Sequence, residues 1–498
     1  MHEYGILSLL PPIIAIILAI VTRQVFVSLL FGIWLGWIVL SDFQIFQGSL
    51  NALQALVDVF KSSGNTRTIM FCALVGALII FIQRSGGVEG FIQRVSRFLQ
   101  RYENKKSGSN VVIVQFLAWL TGLLIFVESS ISVLTVGALY RPIFDKLGIS
   151  REKLAYIADS SSAPSSILIP FNGWGAFIMG LLITEGYQHP FSTMIGALMY
   201  NFYPVIALAM VLVVIFTKKD IGPMKKAEYR VRELKQLHRE GTHPMISDAL
   251  TEVEVVKGIK PKAYNMVIPI VLMVALMPIM LAYTGWADAL EKLPDGSFGE
   301  ILFLAIGKGS GSTSVLVAVT ATVLFSMIFY GIQGIMKFRE MVDLTIKGIS
   351  EMMPLALLMM TAFAISALCN KEHLDTGNYV ASLVQGWLSP GMVPFLLFLV
   401  SSFIAFSTGT SWGTFAIMVP IAVSMVHALG GNEYMALAAA IGGGVFGDHC
   451  SPISDTTILS SMASATDHVE HVRTQLPYAA LSGGLTALLY LIFGMMAG

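Results

Sequence analysis

Long apolar segments separated by short polar stretches occupy nearly the whole 498-residue chain. A helix needs about 20 apolar residues to cross a bilayer, and segments close to that length begin at residue 6 and recur to residue 497. The pattern predicts an all-α protein that crosses a membrane many times. Composition agrees, because only 12% of the residues are charged, whereas a soluble protein has about 25%.

One hydrophilic segment, residues 218–262, interrupts this pattern and contains 11 of the 31 basic residues. Basic loops stay in the cytoplasm, so we expect a cytoplasmic linker there, between a first transmembrane repeat (1–217) and a second (263–498). The positions of the other basic residues predict that the first half starts outside and the second inside, with roughly seven membrane segments each. Two such halves form an inverted-topology repeat.

Similar local sequences in the two halves support a repeat. Gly87 and Gly377 both follow an apolar segment and precede an amphipathic one, and they are 290 positions apart. Asp159 and Asp448 each open a polar run rich in serine and proline, and they are 289 positions apart. The near-equal offsets predict that Asp159 and Asp448 are equivalent.

Four polar runs lie inside apolar segments: residues 126–132, 159–166, 407–413 and 448–457. Proline, glycine and hydroxyl residues at membrane depth are typical of broken helices and re-entrant hairpins. Their free backbone groups must line a cavity, because lipid cannot hydrogen-bond to them. Two breaks in each half therefore predict one central polar site.

The run 448–457 is the most informative, because it places two acids and a histidine at membrane depth. A charged side chain there costs roughly 3 kcal/mol or more, so it indicates ion or proton handling. Sodium is a hard cation and prefers oxygen ligands. The candidate sodium ligands, through side-chain or backbone oxygens, are Asp448, Asp455, Ser451, Ser454, Thr456, Thr457, Thr408, Thr410, Ser129, Ser130, Ser161 and Ser162.

The same acids are candidates for carrying a proton, since burial favours the neutral form of a carboxyl group. We consider Asp448 and Asp455 first, then Glu128 and Asp159 as the acids of the first half. His449 is a further candidate, because histidine titrates near neutral pH. The structural alternatives are that the acids cap half-helices and that His449 is a hydrogen-bonded core residue.

Asn172 and Trp174 follow the polar run of the first half. One interpretation is that they line a substrate chamber. The alternative is that they belong to a break from which the chain simply re-enters a helix.

Residues 447–457, continued by residues 458–464, closely resemble the signature of the NhaC-type sodium/proton antiporter family, and residues 9–15 are similar to its start. The resemblance implies secondary transport driven by sodium or proton gradients in a bacterial inner membrane. The broader ion-transporter superfamily further implies a homodimer with an elevator motion. In this chain the mobile part would include residues 128–174 and 407–462.

Three functions remain open. The leading one is exchange of sodium for protons; the second is sodium-coupled transport or exchange of a small organic solute, either a carboxylate such as malate or lactate or an amino acid. Near the breaks only Arg141 and Lys371 are basic, which favours a cation-only exchanger. A hydrolase using Ser411 and His449 is the third. Its G-x-S-x-G motif lacks the required strand-to-helix turn, so we expect no enzyme.

We expect no cofactor, with sodium acting as substrate or coupling ion. The expected partners are sodium, protons, possible organic solutes and the lipid bilayer. A formal net charge of zero argues against nucleic acid.

Overall fold

The computed structural model describes residues 4–22, 24–103, 108–242, 244, 259–294, 296–370, 372–376, 379, 382 and 388–497. Every regular element in these ranges is a helix. Gly377 and Lys371, which the sequence argument used, lie outside the described residues.

The α-helices of the first half and the linker are α1 (Leu10–Thr22), α2 (Val25–Leu40), α3 (Ile45–Asp58), α4 (Ser63–Arg84), α5 (Gly87–Glu103), α6 (Gly108–Leu124), α7 (Ser129–Leu147), α8 (Arg151–Leu168), α9 (Gly173–Thr184), α10 (Pro190–Leu198), α11 (Phe202–Thr217) and α12 (Gly222–Glu233). Those of the second half are α13 (Tyr264–Lys292), α14 (Phe298–Lys308), α15 (Gly311–Ile332), α16 (Phe338–Cys369), α17 (Val393–Thr408), α18 (Ser411–Leu429), α19 (Glu433–Cys450), α20 (Asp455–Ser464) and α21 (His468–Ala497).

The lengths of these helices confirm a multi-pass membrane protein. Within the described ranges, eight helices are long and apolar enough to cross a bilayer, or up to ten if each of two bent pairs is one span. The pair α8 and α9 bends by 42°, and α10 and α11 bend by 44°. Their outward faces are apolar, as lipid requires; Val213 and Phe216 on α11 are 54% and 58% exposed.

A repeat is visible in the helix boundaries. Helices α7 and α18 are both 19 residues long, and Ser411 follows Ser129 by 282 positions. Helices α8 and α19 are both 18 residues long with the same spacing, and α20 begins 282 positions after α9. The predicted equivalence of Asp159 and Asp448 at a spacing of 289 is therefore wrong, because the residue that corresponds to Asp448 is Ser166.

The halves contact each other reciprocally. Helix α7 of the first half packs against α20 of the second, and α9 of the first half packs against α18 of the second. Since α7 corresponds to α18 and α9 to α20, each contact is the counterpart of the other. Such a pattern is typical of elements related by a two-fold axis, and it agrees with the predicted inverted repeat.

The predicted linker, residues 218–262, begins with a helix that packs on the membrane part. Helix α12 contacts α8 and α21. Two ion pairs fix it there, with 2.8 Å between Lys153 Nζ and Asp220 Oδ2 and 2.6 Å between Arg230 Nη2 and Glu152 Oε1. The first part of the linker is therefore attached to the N-terminal end of α8, the first helix of the bent pair α8 and α9.

Candidate functional site

Four interruptions between helices contribute to the candidate site. We call residues 125–128 the first tip, 169–172 the first break, 409–410 the second tip and 451–454 the second break. The sequence predicted the first tip, the second tip and the second break at these places.

The prediction of a break within residues 159–166 is wrong, because α8 continues through Asp159 and all five serines to Leu168. The serines do not interrupt it, since their hydroxyls donate to carbonyls of the same helix. Ser161 Oγ donates to Ile157 O at 2.7 Å, and Ser165 Oγ donates to Ser162 O at 2.8 Å. The chain leaves the helix only at the first break.

The second tip and the second break touch directly. Ser451 Oγ in the second break donates at 2.7 Å to Phe406 O, in the last turn of α17 just before the second tip. Gly409 has φ of 68°, and a Cβ at this position would lie 2.6 Å from Ile453 O. Only glycine combines a left-handed backbone with this approach at little cost, so the local sequence holds the two interruptions together.

Asn172 makes the equivalent connection in the first half. Its Nδ2 donates to Phe126 O in the first tip at 2.9 Å and to Ser166 O at 2.7 Å, while its Oδ1 accepts from Gly175 N at 3.1 Å. The side chain is fully buried. These bonds are those of a helix cap, and they support the structural interpretation of Asn172 over a substrate-chamber role.

Asp448 lies in the last turn of α19 and is only 4% exposed. Its Oδ2 accepts from Ser411 Oγ at 2.7 Å and from Ser411 N at 3.3 Å, at the N-terminus of α18. Its Oδ1 is buried and has no hydrogen-bond partner among the described residues. A buried carboxylate oxygen without a donor needs a proton or a cation.

Asp159 is a second fully buried carboxylate, and it joins the halves. Its Oδ2 accepts from Thr457 Oγ1 at 3.2 Å and from Gln475 Nε2 at 2.7 Å, and it lies 3.5 Å from His471 Nε2. Its Oδ1 also lacks a partner among the described residues.

His449 is hydrogen-bonded on both ring nitrogens. Its Nε2 is 2.9 Å from Ser160 Oγ, and its Nδ1 is 2.6 Å from Tyr203 Oη. The hydrolase alternative required a hydrogen bond between this ring and Ser411, whose hydroxyl instead donates to Asp448. The described geometry therefore does not contain the Ser411–His449 pair that this alternative required.

Asp455 and Glu128 are more accessible than Asp448. Asp455 is the first residue of α20; it is exposed, and its Oδ1 accepts from Thr456 N at 2.7 Å. Glu128 is half-buried and caps α7, with 2.8 Å between its Oε2 and Ile131 N. The capping role expected as the alternative for the acids is thus observed for Glu128.

The remaining candidate ligands lie around the first tip, the second tip and the second break, except Ser161 and Ser162, which lie inside α8. Thr408 Oγ1 donates to Ile404 O at 2.8 Å, and Ser162 Oγ donates to Asp159 O at 3.3 Å. Ser454 Oγ is 3.1 Å from Thr456 Oγ1 beside the second break. Three further candidates begin or precede helices at the two tips: Ser129, Ser130 and Thr410.

Trp174 is buried against the other half. Its ring centroid is 5.0 Å from that of Trp412 and 5.7 Å from that of Phe415. Trp412 follows Ser411 directly, so this aromatic cluster supports the N-terminus of α18 that binds Asp448. Trp174 therefore packs beneath the site.

Sequence reasoning missed Ser411, His471, Gln475 and Tyr203 as site residues. Ser411 was considered only as a nucleophile, although its place in a glycine-rich tip could have indicated a cap for a neighbouring acid. Gln475 and His471 lie in the uninterrupted helix α21, so no local pattern distinguishes them. Tyr203 likewise follows the start of α11 without a polar run.

Taken together, unpaired carboxylate oxygens lie between broken helices of two repeated halves in a multi-pass membrane protein. This is the construction of a secondary transporter. The chain belongs to the Na+/H+ antiporter family, which it matches over residues 1–191 and 182–495.

Individual relatives agree with this class. An uncharacterized protein of Haemophilus influenzae is 34% identical over 98% of this chain and 90% of its own length. The malate-2H+/Na+-lactate antiporter of Bacillus subtilis is 30% identical over 24% of this chain and 29% of its own length. The solved structure of Neisseria gonorrhoeae MtrF, described as one of a class of antimetabolite efflux pumps, shares the fold. It has a TM-score of 0.51 and 15% identity, over 91% of this chain and 85% of that one.

Proposed function

We propose that the protein exchanges sodium for protons across a bacterial inner membrane and that Asp448 binds the two ions in turn. The main observation behind this proposal is the geometry of the Asp448 carboxylate. One oxygen accepts a hydrogen bond from Ser411, and the other is buried without a partner among the described residues. Family membership supports the same pair of ions.

The physical argument rests on charge. A carboxylate sealed from water in an apolar protein is strongly disfavoured unless a cation or a proton neutralises it. Sodium and the proton would compete for the same oxygens, so binding one displaces the other. This competition couples the sodium flux to the proton flux at a single binding site.

The surroundings offer what a sodium ion needs. The hydroxyl of Ser411 donates to the Asp448 carboxylate, and Ser451 N in the second break donates to Asp448 O at 2.9 Å, so oxygens that could bind the ion lie beside this acid. The N-terminus of α18 stabilises the ionised carboxylate. Because the first break is hydrogen-bonded to the first tip, and the second break is hydrogen-bonded to the end of α17 beside the second tip, we propose that the site moves as a unit in an elevator-type transition.

The test uses purified protein in liposomes that contain a pH indicator. Pulses of sodium, lithium, potassium or choline chloride are applied to wild type, Asp448→Asn and Asp455→Asn. We expect sodium added outside to enter in exchange for protons and so to alkalinise the lumen. We expect Asp448→Asn to reduce the initial rate of this pH change about hundredfold. Sodium-driven proton flux that persists in Asp448→Asn would overturn the assignment.

The variant Asp455→Asn distinguishes the role of Asp455 from that of Asp448. Asp455 Oδ1 accepts a hydrogen bond from Thr456 N at 2.7 Å, whereas Asp448 Oδ1 has no partner among the described residues, so we assign the exchanging ion to Asp448. We expect this variant to keep exchange with an increased KM for sodium, because a negative charge that attracts the cation is lost. If Asp455→Asn abolishes exchange and Asp448→Asn does not, Asp455 is the exchanging carboxylate.

A second candidate function is sodium-coupled transport or exchange of a small organic solute. The observation that favours it is that Asp455 and Glu128 are accessible carboxylates without an ion pair among the described residues, and an amino group would suit them. The name of the Bacillus subtilis relative extends the candidates to malate and lactate. Uptake of labelled amino acids, malate or lactate that requires a sodium gradient, in vesicles without sodium-driven proton flux, would establish this function instead.

A further inference from the structure

A basic cavity of about 600 Å³ lies away from the acids, where α6, α7, α8 and α11 meet the start of the linker. We call it the linker cavity. Its basic lining residues are Lys146, Lys153, Lys218, Arg232 and Lys235, and one acid, Asp145, also faces it. A pocket with this balance of charges attracts anions.

The ion pairs around the linker cavity leave cationic charge in excess. Lys153 is already neutralised by Asp220, and Asp145 is neutralised by Arg151 at 2.8 Å. Lys218 and Lys235 remain as exposed lining cations without an acidic partner among the described residues. An anion in the cavity would therefore be bound mainly by these two lysines.

Gln115 adds a second, independent indication of a ligand. It lines the linker cavity, is 3% exposed, and donates through Nε2 to Val111 O at 3.2 Å. Its Oε1 is buried and has no partner among the described residues. A buried amide oxygen needs a donor, so the ligand should carry a hydroxyl group as well as negative charge.

The apolar walls identify the kind of molecule. Val111, Val214 and Ile215 line the linker cavity beside the lysines. Next to them on the same two helices, Phe116 and Phe216 have ring centroids 6.0 Å apart, and Phe216 is 58% exposed. Since Phe216 belongs to the lipid-facing surface, a lipid headgroup bound in the linker cavity would lie directly beside its own acyl chains.

We propose that the linker cavity binds an anionic phospholipid, with its phosphate near Lys218 and Lys235 and a headgroup hydroxyl donating to Gln115. Phosphatidylglycerol has this chemistry. Basic pockets between membrane helices bind anionic headgroups in this way. Because the linker cavity is formed by α8 and residues that flank α12, the lipid would stabilise the attachment of the linker to the bent helix pair.

The test measures lipid binding to the full-length protein in detergent by native mass spectrometry and by thermal unfolding. Phosphatidylglycerol, phosphatidylethanolamine and soluble glycerol 3-phosphate are compared. The variant Lys218→Gln/Lys235→Gln removes the two cations. The control Lys225→Gln/Lys226→Gln removes equal charge from exposed positions of α12 that do not line the linker cavity.

We expect phosphatidylglycerol to bind wild type and the control alike and to bind Lys218→Gln/Lys235→Gln about thirtyfold more weakly, since each lysine near a phosphate contributes about 1 kcal/mol. Gln115→Leu should weaken binding about fivefold, the effect of one hydrogen bond. Equal binding of phosphatidylethanolamine, or equal loss in the control, would overturn the proposal. Stabilisation by glycerol 3-phosphate as strong as that by the lipid would identify a soluble phosphate ligand instead and overturn the lipid assignment.

Discussion

At the scale of single residues, the hydrogen bond from Ser411 Oγ to Asp448 Oδ2 sets the balance between the ionised and the protonated carboxyl group. A hydrogen bond to a charged group is worth about 1.5–3 kcal/mol. In Ser411→Ala the ionised form loses this stabilisation, so sodium competes less well with the proton. We expect the KM for sodium at neutral pH to increase about tenfold or more, and to recover at alkaline pH.

The control for this prediction is Ser411→Thr, which keeps the hydroxyl group. Sodium-driven proton flux in liposomes gives the KM at each pH. An unchanged KM in Ser411→Ala would show that the hydrogen bond does not contribute to ion binding.

Asn172 tests the connection between the first tip and the first break. In Asn172→Ala several buried carbonyls lose their donor and α9 loses its cap, so we expect a loss of about 2–3 kcal/mol of stability. Asn432→Ala is the matched control, because Asn432 also caps a helix but with one bond, to Met435 N at 3.0 Å. Thermal unfolding in detergent compares them, and equal losses would contradict the connecting role.

The sequence identified site residues where a polar residue stood in an unusual place, inside an apolar segment. Asp448 was identified because an acid between apolar segments needs a partner. Gln475 and His471 were not, because their partner Asp159 is more than 300 positions away in the chain, and only folding brings them together. The unpaired Asp448 oxygen also depends on tertiary packing.

At the scale of elements, the close approach of the second tip to the second break is the most specific feature. Gly409→Ala would introduce a Cβ 2.6 Å from Ile453 O and also strain a left-handed backbone. Gly148→Ala is a matched control, because Gly148 has φ of 71° and open space around its Cβ position. We expect Gly148→Ala to lose about 1 kcal/mol of stability, and Gly409→Ala to lose more stability than this control together with most sodium-driven flux.

The measurement for this pair combines thermal unfolding with transport in liposomes. Equal transport in the two variants would mean that the contact between tip and break does not shape the ion site.

Helix boundaries show where the sequence argument failed at this scale. The serine-rich run 159–166 has the composition of a break, yet it is helical because buried hydroxyls can bond to their own helix. The true break contains Pro170 and Asn172, which disfavour and then cap a helix. Hydroxyl content alone was therefore a poorer guide than proline followed by a capping residue.

At the scale of the whole molecule, the two repeated halves and the linker must act together. Glu228 of α12 is 4% exposed and accepts from Ser150 N at 2.8 Å and from Ser150 Oγ at 2.7 Å, with Lys153 Nζ at 3.7 Å. Glu228→Gln removes the charge, so we expect about 1–3 kcal/mol lower stability. Glu233→Gln, at an exposed position of the same helix, should have little effect.

Thermal unfolding measures the stability of both variants. A Glu228→Gln protein as stable as Glu233→Gln would contradict the view that the linker is fastened to α8 by this buried charge.

The central claim, that one carboxylate binds either a proton or sodium, has a direct test without a membrane. Purified protein in weakly buffered detergent is mixed with sodium chloride, with choline chloride as control, and released protons are measured with a pH indicator. We predict that sodium chloride releases protons from wild type and that choline chloride does not. The apparent sodium affinity should decrease about tenfold for each unit decrease in pH. Asp448→Asn should release no protons. Sodium binding without proton release, or equal release from Asp448→Asn, would contradict the account.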